Sequence, residues 1–262
     1  MIPGAIITEW RAHSPWTSAA HVEQDLIIAR ALVELYSSPE FSAHMLFRGG
    51  TALHKLVLHP SARYSEDLDF VQMRPEPIGP VLDIIRAKLD PWLGEPRHQH
   101  SARGTTLTYR VQSELPPVTP LRLKIEINTR EHFQVFGVER RAFAVETRWF
   151  TGASDIPTYA LDELLGTKLR ALYQRRKGRD LFDLWLGLTQ GGADAVRIAE
   201  VFHAYLAAEG HSVSAGQLRQ NLAAKMNDAA FLSDVPSLLR PGVAYDATEA
   251  HALIERELLT RL

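Results

Sequence analysis

The run from Phe47 to Phe70, FRGGTALHKLVLHPSARYSEDLDF, constrains this chain more than any other, because two adjacent glycines must carry the backbone from a strand straight into a helix. Met45 to Arg48 read as a short strand, Gly49 and Gly50 as the turn, and Thr51 as the start of a helix carrying Leu53, Leu56 and Val57. Glycine has no Cβ, so such a turn can take positive φ and a bulky group can approach the main chain closely. The amides at a helix start lack intrahelical partners and are free to bind phosphate oxygens. Asp67 and Asp69 follow, two residues apart on what reads as a strand. A period of two puts both carboxylates on one face and Leu68 and Phe70 on the other.

The rest of the chain sets bounds. Its 262 residues suffice for one large domain or two small ones. No apolar run approaches the ~18 residues needed to span a bilayer, and MIPGAIITEW lacks the features of a signal peptide, so a cytoplasmic location with no membrane partner is expected. The absence of cysteine excludes disulfides, thiolate metal sites and cysteine nucleophiles. A net charge of -2 does not mark a nucleic-acid binder. Yet Lys168, Arg170, Arg175, Arg176, Lys177 and Arg179 fall in one short stretch with no acid among them. Such a run either neutralises several phosphates or forms a solvated helix face with its loop.

Periodicity divides the chain near residue 158. Residues 17–38 have helical spacing, the glycine motif follows as strand, helix and strand, and a helix is expected from about Val81 to Leu89, stopped by Pro91. Strand-like runs begin at Thr105, Leu121 and Phe143. After Pro157 the chain turns helical, with LDELLGTKLRALYQRR and RDLFDLWLGLTQ separated by Gly178, and further helices at 194–208, 215–226 and 247–261. The expected fold is therefore a mixed α/β lobe over residues 1–158 and an all-helical lobe over 159–262 that completes a cleft.

Converging carboxylates are what phosphoryl and nucleotidyl transfer require, because divalent cations must be held against a triphosphate. Asp67 and Asp69 supply two. Glu126 in LKIEIN is the best third: Lys124, Glu126 and Asn128 share a strand face opposite Ile125 and Ile127. A solvated sheet face is the alternative for Glu126. The eleven histidines form no H-E-x-x-H, and His98 and His100 read as surface residues of a polar loop. Neither G-x-x-x-x-G-K-[ST] nor G-x-S-x-G occurs.

FRGGTALHKL with RYSEDLDF, followed by KLRALYQRRKGRDLFDL, resembles the AbiEii family of nucleotidyltransferase toxins from type IV toxin–antitoxin systems, over about residues 20 to 190. The resemblance implies a DNA-polymerase-β-like core and transfer of a nucleoside monophosphate from an NTP, with Mg²⁺ (or Mn²⁺) as cofactor. It also implies tRNA 3′ ends as acceptor, blocked translation, and a cognate antitoxin as partner. A protein or small-molecule acceptor, or a silent fold that only binds RNA or protein, are the rival readings.

By the same resemblance Gly49 and Gly50, with Thr51, match the phosphate-binding turn; Asp67 and Asp69 match the metal pair; and Lys168 and Asp183 match a second-lobe lysine and aspartate needed for toxicity. Arg63 and Ser65 belong to the first motif. Arg63 either stabilises phosphates or pairs with Glu66; Ser65 is either a phosphorylation switch, as in relatives silenced by a kinase-like antitoxin, or a local cap. Lys168 should project from the edge of its helix's leucine stripe. Asp183 is expected at the site, Asp180 with Arg179 in a structural ion pair, and Arg170, Arg175, Arg176, Lys177 and Arg179 in contact with RNA.

Overall fold

The alternating stretches of the first half pair into one seven-stranded sheet in a computed structural model that describes residues 2–102 and 104–262. The chain divides into two units, Met1–Phe133 with Val138–Thr158, and Gln134–Gly137 with Tyr159–Leu262. In the first unit, helices α1 (Gly4–Trp10), α2 (Ala19–Tyr36) and α3 (Pro39–His44) precede β1 (Met45–Arg48). Helix α4 (Gly49–Ala52) leaves β1 directly and runs on as a π-helical turn over Leu53–Val57. Then come β2 (Asp67–Gln72), α5 (Gly79–Leu93), β3 (Arg97–Ser101), β4 (Gly104–Gln112), β5 (Pro120–Asn128), β6 (Val138–Glu146) and β7 (Thr151–Tyr159).

The strand order is β3-β4-β5-β2-β1-β7-β6. Strands β3, β4 and β5 are antiparallel neighbours, β2 is parallel to β5 and antiparallel to β1, and β1 is parallel to β7. Alternation decides which face is covered. Leu107, Tyr109, Leu123, Ile125, Ile127, Leu68 and Phe70 are all buried on one side, where α2 packs on β5 and α5 on β4. Helix α2 is buried nearly all round, so its polar residues need partners. Glu23 accepts from the Glu114 amide, and Gln24 donates to the Arg122 carbonyl at 2.6 Å. Asp25 accepts from Trp10 Nε1 at 2.9 Å, Ser14 Oγ and Trp16 Nε1 at 3.2 Å, and pairs with Lys55 at 2.9 Å.

Three expectations need correction. The strand expected from Phe143 instead runs over Val138–Glu146, and Thr147 closes a turn onto Phe150. Pro91 lies inside α5, which continues until Gly94 takes φ +78° and bonds its amide to the Asp90 carbonyl. Strands β3 and β7 were not anticipated. All five residues of β3 are exposed, so pairing with β4 rather than burial holds it.

From Leu161 on, the second unit carries α6 (Leu161–Gln174), α7 (Gly178–Thr189), α8 (Ala195–Ala208), α9 (Ala215–Met226), α10 (Ala229–Leu232) and α11 (Ala247–Glu257), with 3₁₀ turns at Pro236–Leu238 and Leu259–Arg261. A Cβ on Gly166 would lie 2.3 Å from Val201, and one on Gly187 2.3 Å from Leu165, so these glycines set how closely α6 meets α8 and α7. Buried Glu163 accepts from the amides of Val135 and Phe136 and from the Tyr205 hydroxyl, which binds the 134–137 segment to this unit. No helix among the described residues is long and apolar enough to cross a membrane.

Candidate active site

Strand β1 delivers the glycine turn beside the aspartates, because Arg48 stands opposite Asp69 and Phe47 opposite Phe70 in the antiparallel ladder. Gly49 takes φ +81°, and a Cβ there would lie 2.1 Å from Asp69 Oδ2. A Cβ on Gly50 would lie 2.6 Å from Arg63 Nη2 and 3.0 Å from Ser65 Oγ. Each glycine thus leaves room that a side chain of the same motif fills, in addition to exposing main chain. Arg63 is buried and donates to the Tyr64 carbonyl at 2.9 Å, so it lies beneath the turn rather than in solvent. Thr51 is also buried, its hydroxyl 2.5 Å from the Asp67 carbonyl and 2.9 Å from Ser65 Oγ. That contact pins the helix start to the first residue of β2 and leaves only the Thr51 amide to offer a ligand. The Lys55–Asp25 pair then anchors the turn's helix to α2.

The parallel ladder sets Asp67 beside Lys124 and Asp69 beside Glu126, so four charged residues share one sheet face. Burial, the charge of Asp69 and the acids Glu66 and Glu126, opposed by Lys124, push Asp67 up to about 7. Burial pulls Lys124 down, but the hydrogen bond and charge of Glu126, with Asp67 and Asp69, outweigh it and hold the amine above its usual value. Glu126 therefore stands in the register expected of a third carboxylate, yet its side chain turns to Lys124 at 2.6 Å. Among the described residues no three His, Cys, Asp or Glu side chains gather into a metal site. The donor chemistry of Asp67 and Asp69 still fits a hard divalent cation: burial first and the charge of Asp69 second raise Asp67, and a cation would offset both.

In the helical unit Lys168 is not at a surface edge. It is 6% exposed, with Nζ 3.2 Å from Asp180 Oδ1 and 2.9 Å from Asp183 Oδ2, and both aspartates are fully buried. Asp180 and Asp183 lie one turn apart on the inner face of α7, which is why they share a cation on α6. Burial pushes Asp180 up, but Lys168 and the bidentate Arg175, at 2.7 and 2.8 Å, bring it below its usual value. The expected Arg179–Asp180 pair is not formed: Arg179 pairs with Asp234 at 3.2 Å.

The same holds along the basic run. Arg170 is buried against Glu209, Arg176 meets Asp228 at 3.4 Å, and Lys177 meets Asp234 at 3.8 Å. The run has no acid in sequence, but the fold brings one to each of these cations.

The family model described as "Nucleotidyl transferase AbiEii toxin, Type IV TA system" matches residues 30–251. The chain belongs to that family. Among solved structures it is similar to MenT4, a nucleotidyltransferase toxin from Mycobacterium tuberculosis H37Rv, with a TM-score of 0.70 and 19% identity, covering 100% of this chain and 91% of that one. An antigenic nucleotidyltransferase-like protein from Paracoccidioides brasiliensis matches at a TM-score of 0.39 and 14% identity, over 80% of this chain and 91% of that one, too loosely to bear on the fold. None of the curated proteins matches in sequence.

In this AbiEii toxin the fold brings together Gly49, Gly50, Arg63, Ser65, Asp67 and Asp69, with Glu126 in register beside them. Two residues that sequence reasoning did not place at the site are Lys124, paired across to Asp67, and Arg48, opposite Asp69 and bonded to Glu131 at 2.5 Å. Lys124 had a signal, since it shares the alternation that nominated Glu126. Arg48 had none beyond its place before the glycines.

Proposed function

We propose that this AbiEii toxin transfers a nucleoside monophosphate from an NTP to the 3′ end of tRNA, in the cytoplasm, and so blocks translation and growth. The single observation that carries the reading is the seating of Asp69 against Gly49, with Asp67 on the same strand face. The Asp69 carboxylate thus lies directly beside main chain able to receive phosphate oxygens, with Asp67 two residues away on the same strand. Asp67 and Asp69 are the residues that would hold Mg²⁺, which when bound offsets negative charge on the triphosphate and on the departing pyrophosphate.

The chain's own part is orientation and charge. Gly49, Gly50 and the Thr51 amide receive phosphates, and Arg63 supports the turn from beneath. Glu126, freed from Lys124, is the third carboxylate and the group that would receive the attacking hydroxyl's proton. The hydroxyl adds to the α-phosphorus as the bond to pyrophosphate breaks. Lys168 and Asp183 also contribute to activity. The family's pairing of genes supplies the antitoxin partner.

Incubating the protein with each α-labelled NTP, Mg²⁺ and total tRNA tests the reading. Label should appear on tRNA and vanish with Asp69→Ala. Label on protein alone, or none with any nucleotide, overturns it.

A further inference from the structure

The face of the sheet that bears Asp67 and Asp69 extends across β5, β4 and β3, and beyond Glu126 and its partner Lys124 the proposed chemistry does not use that extension. It is built from alternate residues: Arg122, Lys124 and Glu126 on β5, Thr106, Thr108 and Arg110 on β4, and Arg97 on β3. Arg110 stands directly opposite Arg122, and Arg97 directly opposite Thr108. All three arginines are exposed. Among the described residues none of their side chains has a carboxylate or other polar partner, in contrast to the cations of the helical unit.

Two like charges directly across an antiparallel ladder repel, and this pair costs the sheet stability that an acid at either position would restore. A fold that keeps such a pair next to its carboxylates has positive charge left over for an external anion. With a rise of ~3.3 Å per residue, Arg122 lies about 7 Å along β5 from Lys124, the neighbour of Asp67. We propose that Arg97, Arg110 and Arg122 form the surface on which a single strand of RNA lies, its phosphates on the arginines and its 3′ end directed to Asp67 and Asp69. This rests on the nucleotide-transfer reading for what happens at that end.

RNA fits the surface better than a protein does. A protein interface needs apolar or aromatic anchors at its centre, and among the described residues no exposed large hydrophobic side chain belongs to β3, β4 or β5. The threonine hydroxyls between the arginines suit phosphate and sugar oxygens. The triphosphate has its own seat at the glycine turn.

The test is fluorescence anisotropy with fluorescein-labelled total tRNA, without NTP, over a range of NaCl concentrations, on the full chain and on Arg110→Gln/Arg122→Gln. Losing two phosphate contacts should weaken binding at least tenfold at low salt and reduce the slope of log affinity against log salt by about 1.4, at ~0.7 per contact for single strands. The melting temperature should hold or rise, because the repulsive pair is gone. Unchanged affinity and slope, a wild-type chain that does not bind RNA, or affinity lost only with a lowered melting temperature in this variant and in Arg97→Gln alike, overturns the proposal. Wild-type RNA binding that the double variant loses supports the surface even if no nucleotide is transferred, whereas transfer that both proteins perform equally, at equal affinity, leaves the reaction standing and removes the surface.

Discussion

Gly49→Ala should damage this protein through one carboxylate, and the size of the effect follows from two separable costs. An L-residue held at φ +81° pays the left-handed penalty, roughly 1–2 kcal/mol. The added methyl would also sit 2.1 Å from Asp69 Oδ2, 2.8 Å from Cγ and 2.9 Å from Cβ. Asp69 cannot yield by a backbone shift, because it is paired with Arg48 on one side and Glu126 on the other. Its side chain must swing away, an overpacking cost of roughly 1–3 kcal/mol. The two together predict a loss of about 2–5 kcal/mol. In an Asp69→Ala background Oδ2 and Cγ are absent and only the Cβ contact at 2.9 Å remains, so the same substitution should cost less, about 1–3 kcal/mol. Urea unfolding followed by tryptophan fluorescence measures the cycle in the right unit: Trp10, Trp16, Trp92 and Trp149, four of the five tryptophans, lie in the first one. Nucleotide transfer should be lost in Gly49→Ala as in Asp69→Ala. Equal costs in the two backgrounds, or full transfer activity in Gly49→Ala, would refute the view that this glycine exists to seat Asp69.

Lys168→Met removes the cation shared by two fully buried aspartates and should cost the helical unit about 3–5 kcal/mol; a variant that loses activity at an unchanged denaturation midpoint would instead place the role of Lys168 at a ligand. Asp25 should dominate acid unfolding of the first unit: burial pushes it up, but Lys55, Ser14 and Trp10 outweigh that and hold it below its usual 3.8. A depressed folded value adds stability above the unfolded value and loses it as pH falls through the folded one, so wild-type stability should drop below about pH 4, and Asp25→Asn should start lower and show a flatter acid limb. Ser65→Glu sets a carboxylate between Thr51 and the start of β2 and should abolish transfer while Ser65→Ala keeps it; full activity in the glutamate variant counts against a phosphorylation switch at Ser65.

How far the sequence discloses this molecule depends on the range over which each feature is determined. The facing of Asp67, Asp69 and Glu126 was legible because alternation along a strand is local, and the ladder then set Glu126 beside Asp69 in register. The direction of the Glu126 side chain was not, because it is decided by a contest between Lys124 and the aspartates. Helices α6 to α9 were legible from leucine and alanine spacing, whereas β3 was not, since five exposed residues held only by an edge ladder leave no hydrophobic pattern. The glycine pair was legible as a place of close approach, but not that the approaching groups include Asp69 and Arg63.

Charge was the least legible property, because a run of cations says nothing of acids that return from elsewhere in the chain. Arg170, Arg175, Arg176, Lys177 and Arg179 stood out in sequence, yet Glu209, Asp180, Asp228 and Asp234 come back to meet them. Arg97, Arg110 and Arg122 drew no notice, since each is a lone arginine in its own strand, and only the ladder makes neighbours of them. A near-neutral protein can therefore still concentrate uncompensated positive charge: the acids that balance the total are used to neutralise the helical unit's cations, and the open sheet face keeps its own. If RNA is the acceptor, its proposed place is the sheet face rather than the helical run. Charge reversal at Arg122 should then weaken RNA binding more than charge reversal at Arg176, although Arg176 sits in the denser cluster, and the opposite ranking would return the interface to the helical run.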